Sequence, residues 1–273
     1  MAETIPEGGG RGSVLPPGTL LQLMYLRERL TEIPAGRFVE IGPGSGEITQ
    51  MLLDLGWAGQ SCELDPVTIG RLQKRFASEI REGRYSTVNV DYLKFPKPPE
   101  PVDLVISCMV MEHFDDSLES AFMRKSQEVL KDQGLMIGIV PGSPAHWGIE
   151  DDIAGHCRRY TRDTIRSLMA STGWSVRHIA GLTFPVSNFL LPVSNFLVTR
   201  NEKSKLKLTA IERTKASGRR NVSFKTHFPS LLGIFLNTHV MWPLHLLQKA
   251  FKNSESALVL YFESQPVTQA EGS

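Results

Sequence analysis

The residues best suited to chemistry in this sequence gather in two places. The first is Glu40, then Gly42, Pro43, Gly44 and Gly46, with a second acid, Glu63, further on. Glycines at alternate positions allow a sharp turn and let a ligand lie against bare backbone. At a helix start such a turn also presents N–H groups to an anionic group. The second is the stretch 142–160, GSPAHWGIEDDIAGHCRRY, which mixes histidine, acids, arginines and aromatic rings without a clear period. Long irregular connections in compact domains are often functional.

The elements that must hold the first group lie on either side of it. Phe38, Val39 and Ile41 make an apolar run long enough for one buried strand. Ile48, Met51, Leu52 and Leu55 recur at helical spacing, and Gly56 is placed to end that helix. Residues 60–62 read as a second short strand with Glu63 at its tip. This is the first half of a nucleotide-binding βαβ unit, with an acid placed for ribose hydroxyls. The spacing is GxGxG with Glu47 next, so the third glycine of the dinucleotide pattern is misplaced. That argues against a nicotinamide-dependent oxidoreductase. An acid two residues before the first glycine is unhelpful to a pyrophosphate and useful to a cationic amino group. S-adenosylmethionine carries an ammonium, a carboxylate and a ribose, and no phosphate.

VEIGPGSG followed by CELD resembles motif I and the following acidic motif of the class I S-adenosylmethionine-dependent methyltransferases, of the small-molecule, methyltransferase 11/12-like kind. The resemblance implies a Rossmann-like, doubly wound, mostly parallel seven-stranded α/β sheet, with S-adenosylmethionine as cofactor. It implies that Glu40 and the turn of Gly42, Pro43, Gly44 and Gly46 face the methionine part. Glu63 is then expected to hold the ribose hydroxyls and Leu64 to pack on the adenine. Asp91 is expected to accept a hydrogen bond from the adenine amino group, and Tyr92 to stack on the ring. Residues 107–114, SCMVMEHF, resemble the segment after the fourth strand, where backbone at Ser107 and Met109 passes under the methionine moiety. Glu112-His113 is a frequent pairing there, which makes His113 a substrate-side candidate beside a purely structural role. The same glycine string also resembles the ribosomal-RNA adenine dimethyltransferases. Those enzymes need an Asn-(Leu/Pro)-Pro-Tyr clamp after the fourth strand. Here Ser107-Cys108-Met109-Val110 stands instead, which argues against adenine N6 as the acceptor.

Residues 155–161, GHCRRYT, resemble a GHxRRY(T/S) signature of bacterial small-molecule methyltransferases. Methyl transfer is an in-line displacement on an already activated carbon, so the protein mainly aligns the acceptor. An oxygen acceptor benefits from loss of its proton, and a histidine suits that task. His156 is the candidate base, with Asp152 orienting it or binding the acceptor. Arg158, Arg159 and Tyr160 are candidates to hold a carboxylate, sugar or phosphate. His146 and Trp147 are further lining candidates. The alternative is that His156 and Arg159 tie the loop to the sheet and cover the cofactor.

The rest of the chain bounds these readings. It has 273 residues and a formal net charge of +1, so no global field points to nucleic acid or anionic membrane. Cys62, Cys108 and Cys157 form no metal or disulfide pattern, and no metal is expected. No uncharged apolar run is long enough to span a bilayer, and the default location is the cytoplasm. Residues 1–18 read as a disordered tail, 19–183 as the core, 184–256 as a helical insertion or lid, and 257–273 as a last strand and tail. Within the core one helix is expected over 66–82. The insertion opens with the repeat PVSNFL at 185–190 and 192–197, where each proline opposes an uninterrupted helix. A basic loop follows at 200–225, then an apolar stretch at 228–251 that keeps peripheral membrane contact open. The expected function is methyl transfer to an oxygen, less readily a nitrogen, of a small metabolite: a saccharide, secondary metabolite or amphiphile. The alternatives are a non-catalytic S-adenosylmethionine-binding partner protein and an RNA methyltransferase.

Overall fold

The computed structural model describes residues 13–202 and 228–267. The first strand, β1 (Arg37–Ile41), buries four of its five residues. Alternation sends Phe38 to one face and Val39 and Ile41 to the other, so both faces must be covered. Around it run β2 (Ala58–Glu63), β3 (Tyr85–Asn89), β4 (Val102–Cys108), β5 (Leu130–Pro141), β6 (Trp174–Leu182) and β7 (Val259–Pro266). They form one sheet of order 3-2-1-4-5-7-6. All pairings are parallel except those of β7, which runs antiparallel between β5 and β6.

Helices cover both faces. On one lie α1 (Pro17–Thr31) and α2 (Glu47–Asp54), whose Leu26, Leu30, Met51 and Leu52 pack on Phe38, Leu104 and Ile137. On the other lie α5 (Asp116–Val129) and α7 (Arg162–Ser171), whose Phe122, Met123, Ile165 and Met169 pack on Val39, Val105 and Phe262. Each buried side chain of this size contributes about 1.5–3 kcal/mol. The strand order reverses between β1 and β4, so the carboxyl ends there form the crevice where such sheets bind ligands.

Several expectations differ from what is seen. The expected single helix over 66–82 is two, α3 (Pro66–Arg75) and α4 (Ala77–Arg81), because Phe76 turns its ring into the core against Tyr85. The tail expected over 1–18 ends earlier: Ser13–Val14 pairs with Phe228–Pro229, and α1 begins at Pro17. The stretch 142–160 contains a short helix, α6 (Ile149–Ala154). After β6, α8 (Val186–Glu202) runs straight through Pro192. The missing backbone bond is offset by tertiary ties: Val198 is fully buried and Ser194 donates to Glu150 of α6 at 2.7 Å. A last helix, α9 (Thr238–Ala250), packs on α1. Most of the basic loop expected at 200–225 lies outside the described residues.

Candidate functional site

The glycine turn joins β1 to α2. Gly42, Gly44 and Gly46 all have positive φ, at 67°, 54° and 91°. At Gly44 a Cβ would meet nothing within 4 Å, so the turn opens onto free space. At Gly42 a Cβ would lie 2.7 Å from Val110, which brings the segment after β4 hard against the turn. Pro43 is buried beneath it. Glu63 stands at the tip of β2, where its Oε1 accepts from the Asp65 amide at 2.8 Å. Leu64 beside it is 46% exposed, an apolar surface next to a carboxylate. Asp91 follows β3 and caps a one-turn helix through the Leu93 amide. Ser107 and Met109 end β4; Ser107 is buried, and Met109 holds a left-handed φ of 54° with its amide on Ile139 O.

Two expectations for this pocket need correction. Tyr92 does not face it. The one-turn helix at 92–94 swings its ring between Phe95 and Phe122, and its hydroxyl meets Ser126 at 3.2 Å. Glu40 lies beneath the turn, 3% exposed, and accepts from Thr49 of α2 at 2.5 Å and Ser61 of β2 at 3.0 Å. Burial pushes its carboxyl up to about 7, against those two hydrogen bonds. Its side chain shares the Phe38 face of β1, so it braces the turn from below.

A second cluster sits beside the turn, on the segments after β4 and after α6. Glu112 and His113 come from a one-turn helix, Met111–His113, that begins at Val110. His156 follows the left-handed Gly155 that ends α6. Cys157 N donates to Glu112 O at 2.7 Å and holds the two segments together. The His113 and His156 rings meet edge to face, 5.0 Å apart. Burial, with His156 adding to it, holds His113 down at about 4, so it is neutral at pH 7.

The acid that orients His156 is Asp151, not Asp152. Asp151 Oδ1 lies 2.8 Å from His156 Nδ1 and 2.9 Å from Arg159 Nε, and Oδ2 accepts from the Gly148 amide at 2.8 Å. Burial opposes its ionisation, but the bonds from His156 and Arg159 outweigh that and hold it below the usual carboxylate range. An ionised Asp151 puts the hydrogen on Nδ1 and turns the Nε2 lone pair toward Glu112 Oε1, 3.7 Å away. Asp152 is exposed and accepts from the Trp147 indole at 3.0 Å, because on a helix adjacent residues face different ways. Glu112 is fully buried, and no other described residue donates a hydrogen bond to either carboxylate oxygen. Burial pushes its carboxyl up to about 7, partly countered by His156. Glu112 and Asp151 were not among the residues predicted to act here; a lone acid before a histidine was the available signal.

Of the remaining candidates, three are occupied by the protein itself. Tyr160 pairs with Gly142 beside β5, is 2% exposed, and donates to Glu119 at 2.5 Å. Arg158 pairs with Glu119 at 2.9 Å and Asp116 at 2.7 Å. Arg159 also donates to Gly142 O at 3.1 Å. These three tie the loop to β5 and α5, which corrects their expected role as acceptor ligands. His146 meets Ser143 Oγ at 2.8 Å, and Trp147 is 42% exposed at the mouth of the loop.

Comparison with known proteins agrees with this geometry. The family described as "Methyltransferase domain" matches residues 19–179, more than half of the chain. A probable ribosomal RNA small subunit methyltransferase A of Methanospirillum hungatei is 48% identical over 66 residues, 24% of this chain and 26% of that protein. The chain spans less than half the length of the other curated relatives first matched. Among solved structures, the [4+2]-cyclase SpnF superposes with a TM-score of 0.56 at 12% identity, over 90% of this chain and 81% of that one. Magnesium protoporphyrin IX methyltransferase of Synechocystis PCC 6803, with bound S-adenosylhomocysteine, gives 0.51 at 15% identity, over 61% and 77%. At these identities the two structures speak for the fold alone. A turn that opens beside an acid-tipped second strand, a 3-2-1-4-5-7-6 sheet and the family match lead to one conclusion: this chain belongs to the methyltransferase domain family.

Proposed function

We propose that the protein moves a methyl group to an oxygen, less readily a nitrogen, of a small metabolite. The observation that carries this reading is the contact between the glycine turn and Val110, which sets the buried Glu112–His156–Asp151 group beside the cofactor pocket. The donor set fits S-adenosylmethionine: open glycine backbone at Gly44, the Glu63 carboxylate for a sugar diol, and exposed Leu64 for a flat base. In this reading Asp91, just after β3, takes the adenine amino group, and Ser107 and Met109, at the end of β4, lie under the methionine part. When bound, that cofactor supplies an electrophilic methyl on a sulfonium, and its positive charge asks for no phosphate cradle.

The chain's own residues then do the alignment and the proton chemistry. Asp151 fixes the His156 ring, and Nε2 with Glu112 makes a proton-accepting pair. His113 neutral at pH 7 leaves that pair unopposed by a second cation. Exposed Phe189, Phe196, Trp242 and Phe251 on and near α8 and α9 favour an acceptor with an apolar part over a bare sugar, and leave room for peripheral contact with lipid. The ribosomal-RNA methyltransferase relatives each match only about a quarter to a third of the chain, too little to carry the acceptor over.

The test is calorimetry with S-adenosylhomocysteine, followed by transfer of labelled methyl to a panel of phenols, hydroxylated lipids, sugars and amines. Stoichiometric binding and label in an ether or ester product are expected. Label found only in RNA, or no label in any acceptor with His156→Gln indistinguishable from wild type, would remove this reading.

A further inference from the structure

We propose that Glu112, His113 and His156 form a binding site for a divalent transition-metal cation, with zinc the best match. The ligand atoms of these three residues all lie within 4.8 Å of one another. His156 Nε2 and Glu112 Oε1 are already 3.7 Å apart. Ligands of a tetrahedral zinc with bonds of about 2.0–2.1 Å stand about 3.3 Å apart, so a small inward turn of the side chains closes the site. Two imidazoles and one carboxylate, with further positions left open, is a donor set used for catalytic zinc and other first-row divalent metals.

Three independent features point to an ion here. The Glu112 carboxylate is fully buried, and no other described residue donates a hydrogen bond to either of its oxygens. A buried carboxylate left so is costly, and a cation is a standard reason for one. Next, His156 carries the outer partner expected of a metal-bound histidine. Its Nδ1 is held by Asp151, which is itself fixed by Arg159 and the Gly148 amide. That arrangement sets the tautomer and aims Nε2 inward. Finally, the backbone is stitched around the cluster: Cys157 N bonds Glu112 O, and the Cys157 thiol meets His113 O at 3.6 Å. The spacing 112–113 and 156 matches no metal motif in the sequence; only the fold brings the three together.

The site itself stands on this geometry. Its use rests on the reading above, that the acceptor lies beside this cluster. Coordination takes the Nε2 lone pair, so in the loaded protein the cation, not the imidazole, acidifies an acceptor hydroxyl bound at an open position. The hydroxyl proton then leaves to water.

The full-length protein, stripped with a chelator, would be titrated with Co2+, whose visible spectrum reports coordination number, and then with competing Zn2+. We expect one equivalent to bind with the intense bands of a four- or five-coordinate site, and Zn2+ to displace it. His156→Gln and Glu112→Gln each weaken binding about tenfold or more, and Asp151→Asn about 10–100-fold. Cys157→Ser stays within about twofold. Circular dichroism controls for folding, and if Glu112→Gln fails to fold, His113→Gln, on a half-buried ring, carries the same test. Only the six-coordinate aqueous spectrum, or equal affinity in all variants, overturns the site. Calorimetry with S-adenosylhomocysteine on the same samples separates the two claims. Cofactor binding without metal sinks the cation site alone, and metal binding without cofactor sinks the functional reading instead.

Discussion

Glu40 and Glu63, the acids on either side of the glycine turn, sit in opposite environments. Glu40 is buried and its carboxyl is pushed up to about 7, from an ordinary value of 4.5. The folded protein therefore holds that proton more tightly than the unfolded chain. The stabilisation is complete below about pH 4.5 and is lost as the pH rises through about 7. Glu40→Gln cannot ionise, so its stability in thermal melts should gain on wild type between about pH 5 and pH 8, by on the order of 3 kcal/mol at the upper end. Parallel melting curves would refute this. Glu63 sits at a strand tip, where its carboxylate accepts from the Asp65 amide. Glu63→Ala should weaken S-adenosylhomocysteine binding about 10–100-fold, as expected for two hydrogen bonds of about 1 kcal/mol each lost, with little change in melting temperature. Unchanged affinity by calorimetry would place the sugar elsewhere.

At the scale of elements, the turn and its helices act as one unit. Gly46 has φ 91°, and a Cβ there would lie 2.7 Å from Phe76 and 2.9 Å from Leu72, both pressed up from α3 and its end. Gly46→Ala should cost about 1–3 kcal/mol in denaturant unfolding and should also lower cofactor affinity, because relief requires the turn to move. The loop before α7 behaves differently. Tyr160 donates to Glu119 in a buried setting, and Arg158 bonds the same carboxylate. Tyr160→Phe should lose about 1–3 kcal/mol of stability and leave S-adenosylhomocysteine affinity unchanged. A matched loss of affinity would return Tyr160 to the ligand side.

At the scale of the whole molecule, α9 is fastened to the core by a polar network. Gln248 accepts from Thr183 N at 2.9 Å, donates to Leu21 O at 2.9 Å, and meets His245, which pairs with Glu28 of α1 at 2.8 Å. Three elements distant in sequence thus meet in one buried cluster. Gln248→Ala leaves a backbone donor and an acceptor without partners, so a loss of about 2–4 kcal/mol is expected. Hydrogen exchange should rise first in α9 and at the end of β6. Protection unchanged in α9 would show that apolar packing alone holds it. Among the described residues no helix is long and apolar enough to cross a membrane.

How far the residues alone could be read depends on the range of the physics. The strand–turn–helix–strand unit at 37–63 is local: alternation, helical spacing and glycine conformation act over a few residues, so that unit was legible in the residues, and its resemblance to a known family implied the rest of the sheet. Which way Tyr92 and Tyr160 point was not legible, because a single helical turn and a distant Glu119 decide it. Nor could spacing tell Asp151 from Asp152, whose roles follow from the face of α6 each occupies. Pro192 inside α8 shows the same limit, a local penalty outweighed by contacts with α6 and the core. Period and glycine spacing determined a strand, an open glycine turn, a helix and a second strand; the larger methyltransferase sheet was implied by the resemblance of that unit to the family. Only the tertiary structure decided which acids lie beside His156, since burial and long-range contact set their partners.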